Sequence, residues 1–480
     1  MAILSFLEST LSAFRRCFKY SPAYRWFVTV ICGLMVRTDH LGVSSIIRAL
    51  GLPGKKYECL IHFFRSAAYS LSELRKVWYA IVLKSGTLYQ LNGRYLLIGD
   101  GTKEPKEGRF MPAVKKLFQE SENSCKPRYT FGHMYGGVAA VIERDGSGFA
   151  CPLNMNIQDG LAETAAWDGS SHSESSHIVQ MIRNGYEAAQ SLGVSYMTLD
   201  RYFLSVPGLQ ELDKHNKSEH LLDLITRAKD SCVAYEPLPS DYKPKRGRPR
   251  KKGESVKLKN LFEEREAEFV TSNVLMYGEQ QQVESLCLDL LWGSKLYKKL
   301  RFVLVKSTRG RAILVSTDLS LSPELIIEAY AHRFKIESMF REFKQQIGGF
   351  CYHFWTKAVH KLNRYKKKDE PDALTLVTDE KQRNRILMTV EATERFVFFS
   401  CVAMGLVQMM ALVPCVAEQA KNHRYLRTLN PKKVSEATIL SYLSKNFYRL
   451  LLFRPDSGLS RIIRQAQRDE SSDSTDNEVA

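Results

Sequence analysis

The chemistry in this sequence concentrates in one segment and two isolated acids. Residues 323–348 (PELIIEAYAHRFKIESMFREFKQQIG) repeat apolar side chains with a helical period. Tyr330, Arg333, Glu337 and Lys344 stand at offsets of 0, 3, 7 and 14 within that segment. At about 100° per residue these four fall within roughly 60° of one another on an unbroken helix. One stripe then presents a phenol, a guanidinium, a carboxylate and an ammonium, with Arg341 beside them. The acid suits a hard cation, and the arginine and lysine suit a substrate anion. The same spacing also suits a solvated face laced with i,i+4 ion pairs such as Glu337–Arg341, so the helix does not decide the matter by itself.

Two aspartates bear on the choice. Asp100 in LLIGDGTK and Asp200 in YMTLDRYF each follow an apolar run, which predicts that each ends a strand. In open α/β sheets, ligands bind at the carboxyl ends of strands, although a strand-end aspartate also serves to cap a turn. Three carboxylates on two strands and a helix form an oxygen donor set suited to a pair of Mg²⁺ ions. Such a pair clamps the attacking and leaving oxygens in phosphoryl transfer.

The elements that must position these residues follow from periodicity. Residues 1–90 read as helical, with two short helices around Gly51-Leu52-Pro53-Gly54 that form either a helix-turn-helix or an ordinary helical hairpin. Strands are predicted at 94–101, 133–143 and 148–157, the last two joined by the turn Asp145-Gly146. A helix over 177–192 and strands at 194–203 and 221–229 come next. That order implies a mixed sheet covered by helices. Strand-like runs at 268–278, 282–293, 300–307 and 311–318 predict an inserted antiparallel β unit before the chain turns helical again at Pro323. Residues 396–417 carry no charge and are long enough to span a bilayer. Ser400, Gly405, Gln408 and Pro414 within them favour a buried core helix.

Composition supplies the partner class. The 480 residues include 69 Lys+Arg against 52 Asp+Glu, a net charge of +17, and 44% are hydrophobic. So apolar a chain forms packed cores, which excludes wholesale disorder. So basic a chain meets a polyanion. The cysteines show no CxxC spacing and no histidine has metal-ligand spacing, which disfavours a zinc module and fits reduced thiols in a cytoplasmic protein. Basic residues cluster at 243–259, where Arg246, Arg248 and Arg250 flank Gly247 and Pro249. An extended Arg-Pro-Arg enters an A·T-rich minor groove, and the alternative is a solvated or phosphate-clamping loop. A second cluster runs from Lys357 to Lys368 with Trp355 and Tyr365 interleaved, a pattern compatible with stacking on nucleic acid. Lys103, Lys106 and Arg109 follow the first acid.

The combination resembles the bacterial DDE insertion-sequence transposases that carry a Tyr-Arg-Glu-Lys signature. Their helix pattern Y-x2-R-x3-E-x6-K is met at every spacing by Tyr330, Arg333, Glu337 and Lys344, and IGDGTK and LDRYF supply the first two acids. The resemblance covers about residues 94–410. It implies an RNase H-like catalytic core split by the β-rich insertion. The expected division is a helical domain over 1–90, core over 91–236, basic linker and insertion over 237–322, and glutamate helix with the rest of the core over 323–420. A helical region over 421–468 and an acidic tail over 469–480 complete the chain. It further implies that Asp100, Asp200 and Glu337 hold two Mg²⁺, with Mn²⁺ able to substitute. Tyr330, Arg333 and Lys344 grip phosphates, and Trp292 in the insertion either stacks on an extruded base or packs in its hairpin. The implied activity is cut-and-paste cleavage and strand transfer at terminal inverted repeats. The partners are double-stranded transposon-end and target DNA, and a second copy in a synaptic complex. A non-catalytic DNA-binding regulator and a simple RNase H-like nuclease are the alternatives.

Overall fold

The computed structural model describes residues 2–119, 127–161, 164, 167, 176–239, 241–242, 249–365, 372–423 and 434–468. Arg246, Arg248, the lysines at 366–368 and the tail at 469–480 lie outside the described residues.

The sheet grows outward from β2 (Arg94–Pro105), whose apolar run Leu96, Leu97 and Ile98 is buried. It pairs antiparallel with β4 (Tyr129–Arg144), which pairs antiparallel with β5 (Ser147–Ile157). Asp145 and Gly146 join these last two with φ of 53° and 72°. Both residues take the left-handed region that a two-residue hairpin loop of this hand requires. On the other side of β2 lie β6 (Ser195–Thr198) and then β7 (Leu222–Arg227), both parallel to it. Every residue of β6 is buried, as expected of a parallel strand covered on both faces. The spatial order β5-β4-β2-β6-β7 is that of an RNase H-like core, with β1 (Gln90–Leu91) and β3 (Lys115–Phe118) as short ladders on β2 and β4.

The insertion prolongs this sheet. β13 (Gly310–Ser316) pairs antiparallel with β7, and β12 (Lys298–Ser307), β11 (Glu279–Trp292) and β10 (Val270–Met276) follow as a meander. Two short strands, β8 (Val233–Tyr235) and β9 (Ser255–Lys257), close that edge. The whole is α/β, with one large mixed sheet between helical N- and C-terminal regions.

Five helices, α1 (Ala2–Ser12), α2 (Ser21–Val36), α3 (Ser44–Ala49), α4 (Lys56–Arg65) and α5 (Leu71–Lys84), precede the sheet. The helices α6 (His177–Leu192), α7 (Val206–Asn216) and α8 (Leu261–Glu264) interrupt it. After it come α9 (Pro323–Ala331), α10 (Phe334–Glu342), α11 (Glu380–Leu412), α12 (Pro414–His423), α13 (Glu436–Phe453) and α14 (Gly458–Gln467). The two helices expected around Gly51–Gly54 are α3 and α4. α4, together with α2, packs onto α11: Phe399 of α11 meets Phe27 of α2 at 5.3 Å and Phe63 of α4 at 5.8 Å, and Phe396 meets Phe64 at 5.8 Å. Residues 396–412 of the uncharged stretch form the end of α11, whose most apolar window is entirely buried, as a core helix should be; the helix stops at Val413, and 414–417 open α12.

Two expectations need correction. Asp100 does not end its strand, because the ladder to the long partner β4 continues five residues further, to Pro105 opposite Gly132. The segment 323–348 is not one helix. Its hydrogen bonds around His332 and Arg333 tighten to i→i+3, from Arg333 N to the Tyr330 carbonyl and from Ile336 N to the Arg333 carbonyl, and residues Phe343–Ile347 then widen into a π turn. The single 60° stripe therefore does not exist as such: Arg333 and Glu337 pair directly, while Lys344 of the π turn reaches Lys103 and Glu104 on β2.

Gly405 of α11 lies against the buried indole of Trp78, whose Nε1–H donates to the Pro152 carbonyl of β5 at 3.0 Å. A Cβ at position 405 would come within 2.3 Å of the indole ring, which is rigid and fixed by that hydrogen bond. Gly405→Ala is expected to cost about 1–3 kcal/mol by overpacking. The cost would appear as a lowered urea midpoint with an unchanged m-value.

Candidate active site

Register and side-chain parity place the first two acids. β2 and β6 are in parallel register with Ile98 beside Thr198, so Asp100 and Asp200 both lie two residues beyond that rung. The two carboxylates therefore leave neighbouring strands, about 4.8 Å apart, at matching positions. Asp200 sits just past the end of β6, as expected, where the chain turns into Arg201–Phe203. Its carbonyl accepts from Thr226 Oγ1 of β7 at 2.9 Å.

Glycines decide which face they occupy. A Cβ on Gly99 would run into Met181 of α6 and into Met197 and Leu199, so that face of β2 is packed under α6. Side chains alternate along a strand, so Asp100 points to the other face. Its cross-strand neighbour Gly137 is bare there, and Phe340 of α10 packs against it, 3.1 Å from where a Cβ would stand. The glycine lets α10 lie close over β4, which brings the start of α10 and the residue just before it above Asp100.

Arg333, in the turn before α10, joins the acids. Its Nη1 lies 3.1 Å from Asp100 Oδ2 and its Nη2 lies 2.6 Å from Glu337 Oε1. The i,i+4 partner of Glu337 is thus Arg333, while Arg341 turns away to Glu342 at 3.0 Å and stays largely exposed. Tyr330 completes the group from the end of α9. Burial pushes its phenol up, and the Arg333, Asp200 and Arg227 charges act on it. Lys344, in the π turn, donates to the Lys103 carbonyl at 2.9 Å and pairs with Glu104 at 3.4 Å. The Lys103 ammonium itself donates to the Phe118 carbonyl at 2.7 Å.

Trp292 closes β11 opposite Lys298 and is half-buried against the core. Its cross-strand pairing with Lys298 places it within the hairpin. Arg250 lines an open cavity of about 1030 Å³ with Lys251, Lys252 and Tyr297, and none of the three acids borders it. Sequence reasoning missed Gly101, whose N–H donates to Asp100 Oδ1 at 2.7 Å. It also missed Glu104 and Arg227. Glu104 was available from strand alternation, since it shares the face of Asp100 four residues on. Arg227 gave no local signal.

The donor set is oxygen-only and carries three negative charges, which suits a hard cation. The space between Asp100 and Glu337 already attracts a positive group, the Arg333 guanidinium. Among the described residues no three His, Cys, Asp and Glu side chains stand close enough to hold one metal ion. Arg333 stands between two of the acids, Asp100 and Glu337.

Burial is the main cause that pushes the Asp100 carboxyl from 3.8 up to about 6. Arg333 and the Gly101 N–H pull it down, and the charges of Asp200 and Glu337 push it further up. A carboxyl whose folded value exceeds its unfolded one stabilises the fold below pH 3.8, and that contribution is lost as pH rises through about 6. At 24% exposure the side chain is little screened, and keeping it ionised in the fold costs about 3 kcal/mol. In EDTA, Asp100→Asn should therefore be more stable than wild type at pH 7.5, with the gap closing toward pH 4. Urea unfolding at both pH values checks this, and an equal gap at both would contradict it.

A family model described as DDE superfamily endonuclease matches residues 13–282, more than half the chain. The match takes in Asp100 and Asp200 and stops before the glutamate segment. No curated protein matches the chain.

Proposed function

Because the chain belongs to the DDE superfamily of endonucleases, we propose that it is a bacterial insertion-sequence transposase of the Tyr-Arg-Glu-Lys type. It cuts at terminal inverted repeats and joins the freed ends to target DNA. The observation that carries this reading is the Arg333 bridge between Asp100 and Glu337, with Asp200 in matching register on the next strand. Members of the superfamily act on DNA and generally use divalent metals. Two Mg²⁺ ions, or Mn²⁺ in their place, would be held by Asp100, Asp200 and Glu337 and would stabilise the attacking and leaving oxygens of an in-line displacement.

The chain's own groups supply the rest. Arg333 releases the acids when a DNA phosphate offers it a better bidentate partner, and so couples DNA arrival to closure of the carboxylate trio. Lys344 and Tyr330 flank that phosphate. Water or a 3′-hydroxyl is the nucleophile, so no protein–DNA covalent intermediate forms. Arg341 and Lys103 extend the contact along the backbone, and Arg246, Arg248 and Arg250 of the basic linker reach the flanking duplex. The active form is a homodimer pairing two DNA ends at the nucleoid, in the cytoplasm.

Glu337→Gln should lower strand cleavage and joining about 10³-fold or more, equivalent to ~4 kcal/mol of barrier, while repeat-ended DNA still binds in a gel-shift assay. Full Mg²⁺-dependent cleavage by that variant would reject the assignment. A metal-dependent assay that cuts repeat-free DNA equally well would favour a simple nuclease. Arg341 is exposed and, among the described residues, its charge is met only by its neighbour Glu342. Arg341→Ala should weaken binding to all DNA sequences alike and reduce the slope of log K against log salt by about 1.

A further inference from the structure

The loop that follows the glutamate segment presents an aromatic ring to solvent from a fixed base. Its neighbours Tyr352 and Phe354 are buried, and Thr356 N donates to the Phe110 carbonyl at 3.0 Å. Between these anchors Trp355 is 52% exposed, although Trp78 of the same chain is fully buried. Its ring borders a groove of about 410 Å³ formed with α4 and the start of α11. That is within the size range of small-ligand sites. Three cations line the groove, Arg65, Lys357 and Arg385, against one carboxylate, Glu58, with Tyr57 at its edge.

A guanidinium is fixed against the same loop. Arg65 Nη2 donates to the Trp355 carbonyl at 3.3 Å, which holds this cation at the groove wall that carries the indole. A ligand with a flat π-face and acidic oxygens satisfies both the ring and the guanidinium. A nucleotide has both, and it can offer its base face only when unpaired, since in duplex that face is already stacked. A stacking plane beside cations is also how single strands are held.

We infer that this groove is a binding subsite for one unpaired nucleotide of DNA, its base on Trp355 and its phosphate on Arg65 and Lys357. This rests on the DNA-processing reading above and adds a place in the chain where single-stranded DNA is gripped. The groove lies past the far end of β2 from Asp100: Lys106, just beyond Pro105, sits 3.8 Å over the Tyr352 ring. The five residues from Asp100 to Pro105 span about 17 Å of strand, the rise of about five base pairs. The nucleotide gripped is therefore not the one cleaved.

The test uses the full chain and two fluorescent probes, a blunt duplex and the same duplex with a four-nucleotide unpaired tail, compared by anisotropy. Wild type should bind the tailed probe about tenfold more tightly. Trp355→Ala and Arg65→Ala should each lose that preference while binding blunt duplex as wild type does, and Trp355→Phe should keep most of it. Equal binding of the two probes by wild type, or an unchanged preference in Trp355→Ala, overturns the subsite and leaves the DNA reading standing. Failure of wild type to bind either probe overturns both.

Discussion

A guanidinium held between two carboxylates is the interaction on which the site depends. Arg333 reaches Asp100 with one nitrogen and Glu337 with another, and so ties the sheet to the helical segment that carries the third acid. Without a positive charge there, Asp100, Asp200 and Glu337 would repel one another; burial first, and then the charges of Asp200 and Glu337, push the Asp100 carboxyl up, while Arg333 pulls it down. The same pairing explains why three hard oxygen donors coexist in the folded chain. It also makes Arg333 the group that must move when a cation or phosphate enters.

Much of the surrounding structure serves this geometry. Parallel register puts Asp100 and Asp200 side by side, Gly99 lets α6 seal one face of β2, and Gly137 lets α10 approach the other. The N-terminal helices and α11 share one apolar core with β5, so the site rests on a continuous packed body. Buried Arg37 of the N-terminal region donates to the Gly348 carbonyl at 3.0 Å as well as to that of Ile347, which fixes the end of the π turn that carries Lys344. Lys344 can then reach Glu104 and the Lys103 backbone on β2.

The strands were legible because their signals are local. Alternation, apolar runs and the Asp145-Gly146 turn each depend on a few adjacent residues. Helix α6 was likewise read with the bounds His177–Leu192. What local pattern could not reveal was pairing at a distance. The length of β2 past Asp100 depends on β4 continuing beside it, and the break at His332–Arg333 reflects a turn that carries α10 from the edge of α9 onto β4. Periodicity alone predicted one long helix and hence one stripe. Tyr330, Arg333 and Glu337 still gather, through Arg333 reaching sideways to Asp100, while Lys344 meets β2 at Lys103 and Glu104. Trp292 and Trp355 illustrate the same limit. Both lie in suggestive sequence, and only packing shows the first half-buried in a hairpin and the second open to solvent.

The most direct test is a crystal of the protein soaked in Mn²⁺, with the metal located by its anomalous scattering. The account predicts manganese between Asp100, Asp200 and Glu337, with the Arg333 side chain swung out of its bridge. Manganese bound elsewhere, with the bridge intact and the three carboxylates still apart, would contradict it.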